Sequence, residues 1–407
     1  MKRKGWIIAA ASVMGLLLAV IVVFFLWHGS QKKYTDAGNF INEGTGMTPE
    51  SSPETWAESG EDTETENTES VQTENAQTEN AERESPRTDD ESGEQEGTLR
   101  FVFAGDVLLS DYVLGAYERG GGIRGVVDEE LQQVIDSGDV FMVNQEFPFS
   151  SRGSAAPDKQ YTFRLPPEKV SLLREMNIDI VTLANNHAMD YGTDALLDTC
   201  QTLDQAGILR VGAGSDLKEA SAPAIMEMKG KKIGFLGASR VIPVASWNAT
   251  DTKPGMLTTY DPALLLEEIR QLRERCDYVI VYVHWGLERH ERPEEYQRRL
   301  GQQYIDAGAD LVIGSHPHVL QGLEYYKGKP IVYSLGNFVF GSSIPRTALL
   351  TAEWDGEETV LKLIPAVSAS GSTKAVTEAE KKAEFDQYMT EISYGAAVEN
   401  GLVVPQQ

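Results

Sequence analysis

The chain has 407 residues, a length that suits one large domain or two ordinary ones. Its formal net charge of -26 excludes the basic face that a nucleic-acid binder needs. Two cysteines, Cys200 and Cys276, make neither a disulfide framework nor a zinc ribbon and read as unpaired core residues.

The first element is apolar. "MKRK" is followed by "GWIIAAASVMGLLLAVIVVFFLW", Gly5 to Trp27, about the length that spans a bilayer as a helix. A cleavable signal peptide has a shorter apolar core that ends in small residues, whereas Phe24, Phe25, Leu26 and Trp27 stand here. Residues 1–33 are therefore read as a cytoplasmic tip and an uncleaved transmembrane signal anchor. Basic residues flank both ends, and the tight group Lys2, Arg3 and Lys4 favours a cytoplasmic N-terminus with the rest of the chain outside. Residues 34–97 follow as an acidic linker. Within 50–96 there are 17 acids against 2 bases, and "ETENTESVQTENAQTEN" is a degenerate repeat. Such a segment cannot bury enough apolar surface to offset its chain entropy, so disorder is expected, extended by self-repulsion. A spacer that lifts a domain off the membrane and an unselected tether predict the same physics.

Residues 98–407 carry the folded domain. "LRFVFAG" reads as a strand, "DEELQQVIDSG" as a helix, "DVFMVNQE" as a strand and "PPEKVSLLREMNI" as a helix. "IDIVTLANN" is a strand, and "YGTDALLDTCQTLDQAG" is a helix with a glycine stop. "KKIGFLGAS", "DYVIVYVHWG" and "ADLVIGSH" are strands separated by the helices "DPALLLEEIRQLRERC" and "PEEYQRRLGQQYIDAG". "KPIVYSLGNFVF" follows, and "RTALLTAEWDGEETVLKLIPAVS" reads as a hairpin turning at Asp355-Gly356. The alternation predicts an α/β domain of βαβ units around largely buried sheet.

Each apolar strand ends in a side chain able to bind metal: Asp106, then Asn144 and Glu146, then Asn186 and His187, then His284, then His316 and His318. In open α/β sheets, sites form beyond the carboxyl ends of the strands, so these residues are expected to converge. Four of the six histidines stand at strand ends. In "GSHPHVLQG" two of them lie two apart on a proline-stiffened turn, a spacing that can serve two neighbouring metals. Imidazole with carboxylate suits zinc, iron or manganese. A pair of such ions about 3.5–4 Å apart can activate a water and clamp the leaving oxygen of a phosphoester.

"FAGDVLL", "NQEFPF", "LANNHAMDYG", "HWGLER", "GSHPHVLQG" and "SLGNFVF", in that order, resemble the motifs of the bacterial capsule-synthesis CapA family, the poly-gamma-glutamate synthesis and export proteins. The resemblance covers about residues 99–345. That family is similar to calcineurin-like metallophosphoesterases, which implies a four-layer α/β sandwich with a two-metal site. Carried over by motif, Asp106 and His318 would bind the first metal, Glu146 would bridge, and Asn186, His284 and His316 would bind the second. His187 would be the acid or orienting group, held by Asp190. On this reading Asp190 lies on the same face of a helix that starts there, and raises the imidazole pKa. The phosphoesterase pattern has Asp-x-His where Asp106 is followed by Val107 and Leu108, and an aspartate where Glu146 stands. The first metal is therefore expected to be the weaker.

Arg164 in "YTFRLPPE" reads either as a bidentate contact for an anionic substrate or as a surface ion pair. Asn337 reads as a residue facing the site or as a turn former, Trp285 as a pocket wall or as core, and His290 as a solvated loop residue. Two function classes stand. One is a metal-dependent hydrolase or transferase at the bacterial cell membrane, single-pass and facing outward, acting on an anionic envelope polymer such as poly-gamma-glutamate. The other is a non-catalytic polymer-binding or scaffold component beside other capsule-synthesis membrane proteins.

Overall fold

The computed structural model describes residues 97–341 and 343–406. The expected transmembrane span and almost all of the acidic linker lie outside the described residues, among which no helix is long and apolar enough to cross a membrane.

Strand and helix alternate at first: β1 (Leu99–Val107), α1 (Asp111–Gly120), α2 (Glu129–Asp136), β2 (Val140–Gln145), α3 (Val170–Glu175), β3 (Ile180–Thr182), α4 (Thr193–Ala206) and β4 (Leu209–Val211). Then come β5 (Ala213–Gly214), α5 (Leu217–Ser221), β6 (Ala224–Met228), β7 (Lys231–Ser239), β8 (Gly255–Met256), α6 (Ala263–Arg273), β9 (Tyr278–His284), α7 (Glu295–Ala307) and β10 (Leu311–Ser315). The remainder is mostly strand: β11 (Leu320–Tyr326), β12 (Lys329–Leu335), β13 (Asn337–Val339), β14 (Ser343–Trp354), β15 (Thr359–Ala369), β16 (Ser372–Ala375), α8 (Ala379–Ile392), β17 (Ala396–Glu399) and β18 (Leu402–Pro405).

These strands form a mixed α/β domain with two large sheets. One runs β17-β18-β15-β14-β1-β2-β3-β4, with β13 beside β1 and β16 beside β15. The other runs β11-β12-β10-β9-β7-β6. β1 to β4 are mutually parallel, as are β7, β9, β10 and β12. The expected hairpin is present as β14 and β15, paired antiparallel through Trp354 and Thr359.

Side chains alternate across a pleated strand, so each buried strand feeds two cores. Leu99, Phe101 and Phe103 of β1 share one core with Tyr278, Ile280 and Tyr282 of β9, so that core lies between residues of both sheets. Val102 and Ala104 point the other way, toward Leu131, Leu172 and Leu196 of α2, α3 and α4. Val279, Val281 and Val283 likewise meet Ile269 of α6 and Leu300 of α7. Strands buried on both faces read as nearly continuous apolar runs, which leaves polar side chains only at their ends.

The helix expected to open at Tyr191 opens at Thr193 instead, because Gly192 takes φ +82° and breaks the helical path. Residues 186–191 are turns, closed by Asp190 N donating to His187 O and Gly192 N to Met189 O. Cys200 and Cys276 are both buried and unbridged.

The ring of Phe101 stacks on Tyr278 across the shared core, with centroids 5.6 Å apart at 7°. Phe101→Ala is expected to cost about 3–5 kcal/mol. Urea unfolding should show a lower midpoint at unchanged slope.

Candidate metal centre

Two tight backbone approaches aim the strand ends. A Cβ on Gly105 would lie 1.8 Å from the carbonyl oxygen of Gly336, the same oxygen that accepts from Asp106 N at 2.8 Å. A Cβ on Gly314 would lie 2.1 Å from Tyr333 O. Neither place admits a side chain, and each precedes a site residue by one or two positions. Beyond Gly314 the backbone is strained: His316 has φ +98° and His318 φ +59°. A non-glycine residue held there costs on the order of 1–3 kcal/mol, and such strain collects at functional sites.

The strand ends converge as expected. Asp106 Oδ1 accepts from Asn144 Nδ2 at 2.8 Å, and Asp106 Oδ2 lies 3.5 Å from His318 Nδ1. Glu146 Oε1 lies 3.5 Å from His284 Nε2, which also meets Asn186 Oδ1 at 3.0 Å. The rings of His284 and His316 have centroids 4.6 Å apart. Two groups of ligand atoms result, each within 4.8 Å: Glu146, His284 and His316 in one, Asp106, Glu146 and His318 in the other. Glu146 belongs to both.

The donor set fits a divalent metal on an independent ground. Glu146 Oε2 and His316 Nδ1 are buried without a hydrogen-bond partner among the described residues, and a buried polar atom left unpaired costs free energy. Burial pushes the imidazoles of His284 and His316 well below the ordinary value, which favours the neutral ring with one nitrogen lone pair able to ligate. Burial and the charge of Asp106 push Glu146 well above the usual carboxylate range. Burial alone would lower His318; its bond to Asp106, the charges of Glu146 and Asp106 and its bond to Asn337 outweigh that and raise it to about 10.

Around the ligands lies a supporting shell that sequence reasoning only partly found. Asn144 is a hub: Nδ2 is within 3.3 Å of Glu146 Oε1 and 3.2 Å of His284 Nδ1, while Oδ1 accepts from Asn185 Nδ2 at 3.0 Å. Asn185, not singled out in the sequence, also donates to Gln145 O and accepts from His187 N. Asn337 Oδ1 meets His318 Nδ1 at 2.7 Å and so orients that ring. Ser315 Oγ meets His284 Nδ1 at 3.2 Å.

His187 Nδ1 lies 2.8 Å from Asp190 Oδ2, the expected partner. The expected direction of its pKa is corrected. Burial lowers it and the Lys159 charge adds to that, which outweighs the bond to Asp190. Lys159, also unforeseen, reaches Asn186 O, His187 Nδ1 and Asp190 Oδ1. It comes from an irregular loop where no periodicity could mark it.

The other singled-out residues fall outside this constellation. Arg164 is exposed, donates to Arg152 O and Gly153 O, and lies over the Tyr191 ring at 4.0 Å. Trp285 is core, with Nε1 donating to Tyr333 O. His290 is exposed, 3.6 Å from Glu294.

Burial and the neighbouring Asp106 favour a proton on Glu146, and His318 holds one up to about 10; metal ligation must displace them. Manganese affinity is therefore expected to rise with pH, up to the region of about 10 where His318 titrates. Calorimetry in buffers of different ionisation enthalpy should read at least about one proton released per site. Binding without proton release contradicts this protonation pattern.

The chain matches the family model described as bacterial capsule synthesis protein PGA_cap over residues 100–342. It is 33% identical over 254 residues to the PGA biosynthesis protein CapA of Bacillus subtilis, covering 62% of this chain and 66% of that protein. It is 31% identical over 310 residues to the capsule biosynthesis protein CapA of Bacillus anthracis, covering 73% of this chain and 74% of that one. The Thermus thermophilus sulfate thiohydrolase SoxB overlays 69% of this chain and 58% of its own at 13% identity, with a TM-score of 0.38. The matched stretch contains β2, β9, β10, all of β1 but its first residue, and every ligand named above, and on that match the chain belongs to the PGA_cap family of bacterial capsule synthesis proteins.

Proposed function

We propose that this chain is a metal-dependent hydrolase or transferase of capsule synthesis, export or wall attachment, acting on an anionic envelope polymer such as poly-gamma-glutamate. The observation that carries the reading is the sharing of the buried Glu146 by two groups of ligand atoms. Asp106, Glu146 and His318 would hold one ion; Glu146, Asn186, His284 and His316 would hold the other. Manganese, iron or zinc suits this mixture of imidazole, carboxylate and amide. The fold in this reading is a four-layer α/β sandwich of the metallophosphoesterase kind. A core shared by both sheets and helix residues in the other two cores support it.

Bound divalent ions would supply Lewis acidity and a water acidic enough to attack at neutral pH. The chain's own residues do the rest. Asn144 and Asn337 orient ligands through their amides. His187, with Nδ1 turned toward Asp190 at 2.8 Å, keeps Nε2 for proton transfer to a leaving oxygen. Arg164, exposed over Tyr191 beside the His187 turn, is the proposed contact for an anionic chain. Residues 1–33 would anchor the protein in the bacterial cell membrane with the acidic linker and the folded domain outside. Other membrane proteins of capsule synthesis would be its neighbours.

Elemental analysis of the protein purified after growth with manganese, iron and zinc should find at least one tightly held ion. His316→Ala should strip it. His187→Ala should retain it and lose about 10²–10⁴-fold in turnover of the polymer, the usual contribution of a general acid. Equal metal loss in both variants would make His187 a ligand. A wild type without metal, or unchanged polymer production in cells carrying His187→Ala, would leave the scaffold reading in its place.

Topology is tested separately. Protease added to intact protoplasts is expected to release a fragment beginning near residue 97, the first described residue. Release only after lysis would reverse the orientation.

A further inference from the structure

Lys159 enters no step above, yet among the described residues its ammonium is the cation that hydrogen-bonds to the His187 turn from within. The segment that carries it is strapped over that turn. Ala156 N donates to Asp190 O at 2.7 Å, Phe163 N donates to Asp190 Oδ2 at 2.7 Å, and the Phe163 ring lies 4.6 Å from the His187 ring. Between these clips, Lys159 Nζ has three acceptors in reach: Asn186 O, Asp190 Oδ1 and, at 3.0 Å, His187 Nδ1. We propose that Lys159 is a positioning residue that decides which ring nitrogen of His187 carries the proton.

An ammonium has three N–H donors and no lone pair. Its contact with Nδ1 is therefore a hydrogen bond only when Nδ1 is bare, and a neutral ring then carries its proton on Nε2. The competing contact, Nδ1 to Asp190 Oδ2 at 2.8 Å, is a hydrogen bond only when Nδ1 carries the proton. A neutral ring cannot satisfy both. Asp190 does not depend on Nδ1: Oδ1 is met by Lys159 and Oδ2 by Phe163 N. Lys159 gains from it. With Asn186 O and Asp190 Oδ1 taking two donors, Nδ1 is the third protein acceptor in reach among the described residues, and the lysine side chain is only 14% exposed. A protonated Nδ1 would also set one N–H against another at 3.0 Å. Among the described residues the hydrogen-bond partners of the His187 side chain are on Nδ1, so Nε2 is the free nitrogen, and Lys159 makes it a donor in the neutral ring.

The consequence for chemistry rests on the proton-transfer role given to His187 above; the position of the proton does not. The full chain, labelled with ¹⁵N-histidine, is measured at about pH 8, above the ordinary imidazole value. It is measured both without metal and with zinc, a diamagnetic ion, and the His187 signals are assigned by their loss in His187→Ala. Wild type is expected to show Nε2 protonated and Nδ1 bare. Lys159→Met should reverse the pattern to Nδ1 protonated, paired with Asp190, while zinc uptake is unchanged. Wild type with Nδ1 protonated, with both nitrogens protonated, or with a pattern that Lys159→Met leaves unaltered overturns the proposal. Should Lys159→Met fail to fold, Lys159→Gln takes its place, and the wild-type spectrum alone still decides whether Nδ1 is bare. A chain that takes up no zinc yet shows the expected nitrogens would sink the metal reading and leave this one standing.

Discussion

Two carboxylates, Asp106 and Glu146, stand side by side with no solvent exposure, and the rest of the site answers to them. A buried charge costs several kcal/mol unless it is paired, coordinated or neutralised. Three devices meet that cost. Asn144 turns its amide hydrogens toward both acids. His318 provides a cation beside Asp106, and Glu146 is biased toward its protonated form. What these leave is a bare carboxylate oxygen on Glu146 and a bare nitrogen on His316, both buried without a partner among the described residues. A divalent ion would pair both.

The acids and the imidazoles reach one another because they belong to different sheets. β1 and β2 bring Asp106 and Glu146 to the end of one, while β9 and β10 bring His284 and His316 to the end of the other. Both sheets contribute side chains to a single core, with Phe101 stacked on Tyr278 at its centre. Burying large aromatic surface there supplies the free energy that tolerates left-handed backbone at His316 and His318. Glycines at 105 and 314 let the neighbouring strands close in and hold that geometry. Packing in the middle of the domain and precision at its edge are thus one problem.

Around His187 the support is of another kind. The turn that carries it has no helix under it, since α4 begins only after Gly192. Its shape comes from a strap of irregular chain, clipped by Ala156 and Phe163 to the two ends of Asp190 and pinned by Lys159. Burial of the ring favours its neutral form, so what matters there is which nitrogen holds the single proton rather than how much charge the ring carries.

Much of this was legible in the order of residues. Nearly continuous apolar runs of strand length mark buried strands, and a polar residue at the end of such a run marks where the apolar run stops; Asp106, Glu146, His284, His316 and His318 are all visible in that way. The family likeness rests on the same short stretches. These signals are local, carried by neighbours along the chain. Left to the tertiary structure were Asn185 as a brace, Lys159 as a pin, Asn144 and Asn337 as orienting amides rather than ligands or turn formers, Trp285 as core, and the sign of the shift at His187. Each of those depends on partners tens to hundreds of positions away or on how much water a side chain loses, as where Asn337 meets His318 or Tyr282 reaches Ala104 O. Periodicity reports which face of a strand is covered; only the packed fold decides what covers it, and hydrogen bonds and proton positions follow from that.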